Sequence, residues 1–302
     1  MNIKWYKIYY QDSQTTQKLT STSKLIFELK DNIKLETTNY RDALYYNAKA
    51  VADSLNGVQN VLLSGGVDSE MIIRINKDLG IKQNVYTFKF EDDINIRDLN
   101  SAIEICQSLS IKLNIVDFKL KNFFENDAES YYKKTFCSRV EALPRLKWHE
   151  MFDNTLIFGD GEPYLRRQLL GDYSKKSSWQ MIFSEHEFIH YLYTLFIGRN
   201  TCCPWYQFTP EVHGNFLKID YIQNLVDDKI PGKHSSFSSK AIINREIFQD
   251  ISLKPKLVGY EGKDMPPGGI PKFMADFRDN VMLGVIDTDI YYDLEKWPGY
   301  FR

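Results

Sequence analysis

Short apolar runs alternate with segments of helical spacing through the first half of the chain. Tyr40–Leu55 carries Ala43, Leu44, Ala48, Val51, Ala52 and Leu55 at helical intervals, and Asn56-Gly57 ends it. Val58–Leu63 is an apolar run of strand length, Asp68–Leu79 has helical spacing, and Asn84–Phe90 alternates as a strand. A helix over Asp98–Leu109, a strand over Lys112–Phe118, a helix over Ser138–Phe152 and a strand over Thr155–Phe158 follow. Strands alternating with helices predict an α/β fold with a doubly wound parallel sheet. Before it, Lys4–Tyr10, Lys24–Leu29 and Ile33–Thr37 predict three strands of a small β-meander. From about residue 176 the strand signal stops, and Glu185–Phe196, Glu211–Leu225, Ser238–Asp250 and Lys272–Asn280 predict helices. Pro231-Gly232 and Pro266-Pro267-Gly268-Gly269 punctuate them. The expected organisation is an N-terminal β segment (1–40), a nucleotide-binding domain (41–175) and a helical C-terminal region (176–302) that completes the site.

Composition narrows the function classes. The 302 residues are 43% hydrophobic and 26% charged, which suits a globular core. A net charge of −2 gives no global basic field for nucleic acid. No apolar run approaches the roughly 18 residues of a membrane span, and Met-Asn-Ile-Lys-Trp-Tyr-Lys lacks a signal-peptide core, so a cytoplasmic protein is expected. Cys106, Cys137, Cys202 and Cys203 have no metal-ligand spacing and are expected as free thiols, the last two buried beside Pro204.

The chemistry centres on Ser64-Gly65-Gly66-Val67-Asp68-Ser69, directly after Val61-Leu62-Leu63. A strand delivers the chain to a turn whose two glycines let backbone approach a charged ligand. The turn opens a helix, and the first N–H groups of a helix favour phosphate. Ser64 and Ser69 add hydroxyls, whereas Asp68 repels phosphate and makes sense there only as a Mg²⁺ ligand. The plainer alternative is an ordinary loop with Asp68-Ser69 as a helix cap. No Gly-Lys-Ser/Thr follows, which excludes a Walker A loop, and the third glycine of the dinucleotide fingerprint is missing.

This loop resembles the pyrophosphate-binding loop of the N-type ATP pyrophosphatases, the PP-loop family, which split ATP into AMP and pyrophosphate and include the GMP, NAD and argininosuccinate synthetases. Thr155-Leu156-Ile157-Phe158-Gly159-Asp160-Gly161-Glu162 resembles the strand and Gly-Glu-Gly motif of the synthetase domain of asparagine synthetase, a group that includes the β-lactam synthetases. Thr87-Phe88-Lys89-Phe90, Asp98 with Ala102, Ser239-Lys240-Ala241 and Lys254-Pro255-Lys256-Leu257-Val258-Gly259-Tyr260 fit the same order. The resemblance implies adenylation of a substrate carboxylate by ATP and Mg²⁺, then transfer of the acyl group to ammonia or an amine. It assigns Ser64, Gly65, Gly66, Val67, Asp68, Ser69 and Gly159 to the nucleotide, with Leu62 and Phe88 flanking adenine. Asp68 and Asp160 fall to the metal, and Asp160, Glu162, Lys240 and Lys256 to catalysis. In this chain Glu162-Pro163-Tyr164 stands where the family continues with a small residue and Asp-Glu, so Asp160 replaces the first carboxylate and Glu162 the displaced second. Fewer than 65 residues precede the loop, so no glutaminase domain is expected there; a separate glutaminase is one candidate source of ammonia.

Three other readings compete. His186-Glu187-Phe188-Ile189-His190 matches the zinc-peptidase signature His-Glu-x-x-His, with Glu211 as a conjectural third ligand, although Ser184 and Glu187 also form a capping box. Arg145, Arg166-Arg167 and Lys175-Lys176 could meet nucleic-acid phosphates in an enzyme that modifies a base. The altered Gly-Asp-Gly-Glu-Pro segment also fits a non-catalytic nucleotide-binding module.

Overall fold

The computed structural model describes residues 4–10, 25–30, 32–55, 57–137, 139–163, 165–167, 179–183, 189–190, 193–194, 197, 202–227, 229, 240–251, 260, 269–283 and 290–293. Its centre is a five-stranded, all-parallel sheet. The strands are β3 (Gln59–Leu62), β4 (Gln83–Phe90), β5 (Leu113–Phe118), β6 (Leu156–Phe158) and β9 (Cys202–Pro204), in spatial order β5-β4-β3-β6-β9. Val61 lies opposite Val85 on one side and Ile157 on the other, so β3 is central. Strand order reverses between β3 and β6, which opens a crevice at their C-terminal ends.

Period-two alternation divides the sheet's side chains between two cores. Val61, Leu63, Val85, Ile157 and Cys203 face a core built with α1 (Tyr40–Leu55), α2 (Val67–Asp78) and α3 (Ile96–Ser108). Leu62, Phe88, Phe90, Leu156 and Phe158 face a second, aromatic core built with α4 (Leu120–Asn126), α5 (Ala128–Thr135) and α6 (Leu143–Met151). Helices on both faces of a parallel sheet make the doubly wound α/β fold expected from the sequence.

Several local expectations need correction. Strands do occur beyond residue 176. β8 (Trp179–Phe183) pairs antiparallel with β7 (Leu165–Arg167) and with β10 (Ile290–Asp293). β9 continues the main sheet, with Phe158 beside Pro204. β9 and β10 are short and take partners distant in sequence, so no local period announces them. Pro204 ends an edge strand, where its missing N–H costs no ladder bond. The N-terminal meander reduces to a hairpin of β1 (Tyr6–Tyr10) and β2 (Leu25–Leu29). Ile33 makes only a bridge, because the next N–H groups are taken elsewhere. The Glu211 carboxylate accepts from the N–H of Glu36 (2.9 Å), the N–H of Thr37 (3.1 Å) and the Thr37 hydroxyl (2.7 Å). The helix expected over Glu211–Leu225 is two, Glu211–Phe216 and Asp220–Val226. The one expected over Ser138–Phe152 contains a 3₁₀ turn at Val140–Ala142 before α6, where Pro144 sits in the first turn.

The hairpin and α1 are both fastened to the turn after β9. Trp5 Nε1 donates to the Gln207 carbonyl (2.8 Å) and Asn47 Nδ2 to the Trp205 carbonyl (2.6 Å). Asn47 Oδ1 accepts from Thr209 N (3.0 Å) and Oγ1 (2.8 Å). Cys106, Cys137 and Cys203 are buried free thiols; burial pushes Cys106 up to about 11 and Cys203 further up, as inert core residues.

His213 is buried with its ring 5.4 Å from Trp5. Burial pulls its pKa down to about 3, against a hydrogen bond with the Tyr206 backbone that raises it. The unfolded value is about 6.5, so below that pH the unfolded chain binds a proton that the folded chain refuses. The stabilising contribution is complete above pH 6.5 and is lost as pH falls toward 3. Urea midpoints measured from pH 7 to 5 are expected to fall, with this residue adding up to about 1.4 kcal/mol per pH unit. His213→Asn should flatten that slope, and an unchanged slope would contradict the assignment.

Candidate active site

β3 runs directly into the glycine loop. Leu63 N–H still donates to the Tyr86 carbonyl (2.8 Å), and α2 begins at Val67. Gly65 has φ +74°, a region that favours glycine. A Cβ on Gly65 would stand 2.6 Å from the Asp98 carbonyl oxygen and 2.9 Å from Ser101 Cβ. Ser101 Oγ donates to the Gly65 carbonyl (2.9 Å), tying the loop to the start of α3. Gly66 is the N-cap of α2 and has no side-chain cap bond, so Asp68 and Ser69 lie inside the first turn and are not the cap. The first N–H groups of a helix have no partner within it and are available to an anion. Ser69 Oγ donates to the Gly66 carbonyl (3.0 Å), accepts from Ser64 N–H (3.2 Å) and lies 3.3 Å from Ser64 Oγ. The loop is thus held in shape by its own hydroxyls.

The end of β6 packs against this loop. A Cβ on Gly159 would come within 2.7 Å of Ser69 N, so the absence of a side chain sets how closely β6 meets α2. Asp160 follows, and Arg145 Nη1 on α6 donates to its Oδ2 (2.7 Å). The two side chains are 29% and 27% exposed, which leaves both reachable from solvent. Asp160 keeps Arg145 charged against the opposing effect of burial. The Tyr260 hydroxyl is pushed up by burial, pulled down by Arg145 and pushed up by Glu141 and Asp98, so these charges share one neighbourhood. Gly161, at φ +88°, lies against the Gln207 side chain, where an added Cβ would meet Nε2 at 2.9 Å. Glu162 is half-buried two residues beyond Asp160.

Asp68 is half-buried, and its backbone carbonyl accepts from Tyr206 OH (2.8 Å). Burial first, then the Asp68 charge, keeps the Tyr40 and Tyr206 hydroxyls protonated. Sequence reasoning passed over Tyr206 and Gln207, which brace Asp68 and Gly161; a single turn without periodicity offers no signal. Val67 opens α2 behind the loop.

The other expected site residues fall in three places. Leu62 and Phe88 belong to the aromatic core, and Trp148 stacks on Phe88 at 3.9 Å and 11°. Lys240 opens the helix Lys240–Ile247, which packs on α2; just beyond its end Asp250 pairs with Arg74 of α2 (2.8 Å), which also pairs with Glu70 of α2 itself (2.7 Å). The Lys240 side chain and all of Lys256 lie outside the described residues, as do His186, Glu187, Lys175 and Lys176. His190 is buried against Phe158, with Nδ1 3.3 Å from His149 Nε2, and the Glu211 carboxylate accepts from the N–H groups of Glu36 and Thr37. Among the described residues no group of three His, Cys, Asp or Glu could hold a metal ion, and no helix is long and apolar enough to cross a membrane.

No family model matches the chain. Over 105 residues it is 30% identical to the 7-cyano-7-deazaguanine synthase of Methanocaldococcus jannaschii, covering 32% of this chain and 45% of that one. Its structure is similar to that of NMN synthetase from Francisella tularensis (16% identity, TM-score 0.30, 40% of this chain and 54% of that one). It is also similar to an NH₃-dependent NAD synthetase from Campylobacter jejuni (16% identity, TM-score 0.27, 39% and 56%). The matched region thus spans about half the length of each of these relatives.

Proposed function

We propose that this chain is a PP-loop ATP pyrophosphatase acting as a synthetase: it adenylates a substrate oxygen, releases pyrophosphate and passes the activated group to ammonia or an amine. One observation carries the reading. The Ser64–Ser69 loop sits at the start of α2, at the C-terminal end of a central parallel strand, with Gly159 packed on it. The substrate group is a carboxylate in the asparagine-synthetase-like form of the proposal, which rests on this chain's own motifs.

The N–H groups of residues 65–69 and the hydroxyls of Ser64 and Ser69 would hold the β and γ phosphates. Asp68 and Asp160 are two carboxylates beside that loop, and Mg²⁺ takes one or two protein carboxylates with phosphate oxygens and water, so the residues fit it. Bound there, Mg²⁺ would neutralise charge on the leaving pyrophosphate. Lys240 and Lys256 are assigned to the same charge as point-charge cations, the former on a helix that packs on α2. Asp160 or Glu162 would accept the proton of the attacking amine. Adenine is assigned beside Leu62 and Phe88, where its ring would compete with Trp148 for the face of Phe88. Among the described residues the buried indole Nε1 has no acceptor, so no hydrogen bond to them fixes the ring there.

Likeness to a 7-cyano-7-deazaguanine synthase puts deazaguanine-like heteroaromatic compounds among the substrates to be tried. The purified chain, Mg²⁺ and α-labelled ATP should be incubated with pooled carboxylates, heteroaromatic acids included, and with ammonium or pooled amines. AMP and pyrophosphate formed only with a productive pool are expected. ADP as product would sink the proposal.

A further inference from the structure

We propose that Arg145 is the oxyanion-binding residue of this crevice, and that it exchanges the Asp160 carboxylate for the α-phosphate of a bound nucleotide. This rests on the nucleotide-binding reading above. Position is the first argument. Arg145 and Trp148 are three residues apart on α6 and share a face. Trp148 lies over Phe88, where adenine is assigned, while the partner of Arg145 follows Gly159, which packs on the loop assigned to the outer phosphates. Arg145 therefore stands between base and pyrophosphate, where the α-phosphate of ATP must pass.

Chemistry is the second argument. A guanidinium is permanently charged and shaped for two parallel bonds to an oxyanion. Among the described residues its hydrogen bond to Asp160 is made through one nitrogen, Nη1. Arg145 and Asp160 each keep a solvent-facing part, 29% and 27% exposed, so an incoming phosphate can reach the guanidinium and offer it two oxygens in place of the single carboxylate contact.

The test is calorimetric titration with AMP in EDTA, with adenosine as control, on the wild type, Arg145→Gln, Arg145→Lys and Asp160→Asn. Arg145→Gln should weaken AMP by about tenfold or more without changing adenosine. Asp160→Asn, by removing the internal competitor, should tighten AMP, and Arg145→Lys should fall between wild type and Gln. Opposite signs from the two members of one pair are the signature. If both variants weaken AMP alike and melt earlier, the pair is structural and the proposal is overturned. It is also overturned if the wild type binds AMP and Arg145→Gln binds it equally, with unchanged turnover. Unchanged AMP binding with a raised KM for the carboxylate in Arg145→Gln overturns the proposal as well, because the oxyanion that Arg145 meets is then the substrate acid and not the α-phosphate. A wild type that binds neither AMP nor MgATP removes the nucleotide reading itself, a failure distinct from that of Arg145.

Discussion

Asp68→Ala is expected to lower pyrophosphate release from ATP by about 10²–10³-fold or more, on the scale of losing one preorganised charge-stabilising group. The fold should survive. Asp68 sits in the first turn of α2, and the bond that ties it to Tyr206 uses its backbone carbonyl, which alanine retains. Its charge acts on the buried hydroxyls of Tyr40 and Tyr206, both of which stay protonated. Melting temperature should therefore stay near that of the wild type while turnover falls. Asp68→Asn keeps the shape and loses the charge, and should behave like alanine in turnover. Release at the wild-type rate in either variant would remove Asp68 from the metal and with it the central piece of the mechanism.

Gly65→Ala should damage both stability and nucleotide binding. Alanine at φ +74° costs about 1–2 kcal/mol for the left-handed conformation. Its Cβ would then lie 2.6 Å from the Asp98 carbonyl, a backbone atom at the start of α3 that cannot swing aside like a side-chain tip. Overpacking of this kind costs about 1–3 kcal/mol, so a total of about 2–5 kcal/mol is expected in urea unfolding. Relief of the clash must move either the loop or α3, so MgATP affinity should drop together with stability. Gly80→Ala is the control. Gly80 also has a positive φ, +66°, but an added Cβ there would meet nothing within 4 Å, so it carries the conformational cost alone and lies beyond the far end of α2 from the loop. Equal losses in the two variants would mean that the contact with α3 is unimportant.

What the sequence disclosed follows the range of the interactions involved. β3, β4, β5 and β6 and helices α1, α2 and α3 have local periods and clear stops, and they stand within a few residues of expectation. The loop was legible because glycine spacing after an apolar run is itself local. β9 was not, because Cys202-Cys203-Pro204 is too short to show a period and its partner, β6, is remote in sequence. Ile33–Thr37 has strand composition, yet Glu211 took its N–H groups, and no rule of composition reveals a distant carboxylate. Arg145 was visible only as a cation facing phosphate in nucleic acid; its pairing with Asp160 depends on how α6 crosses the end of β6.

The fastening of Trp5 and Tyr6 to Gln207 has a consequence for synthesis. These residues lie 202 and 201 positions from their anchor, so the hairpin leaves the ribosome long before that anchor exists. β6 likewise waits with an unpaired edge until β9 emerges. Contacts of such separation slow folding and leave sheet edges open to wrong partners in the interval. A nascent chain stalled before residue 202 should thus hold an apolar hairpin and a bare strand edge at once, the kind of surface that chaperones bind.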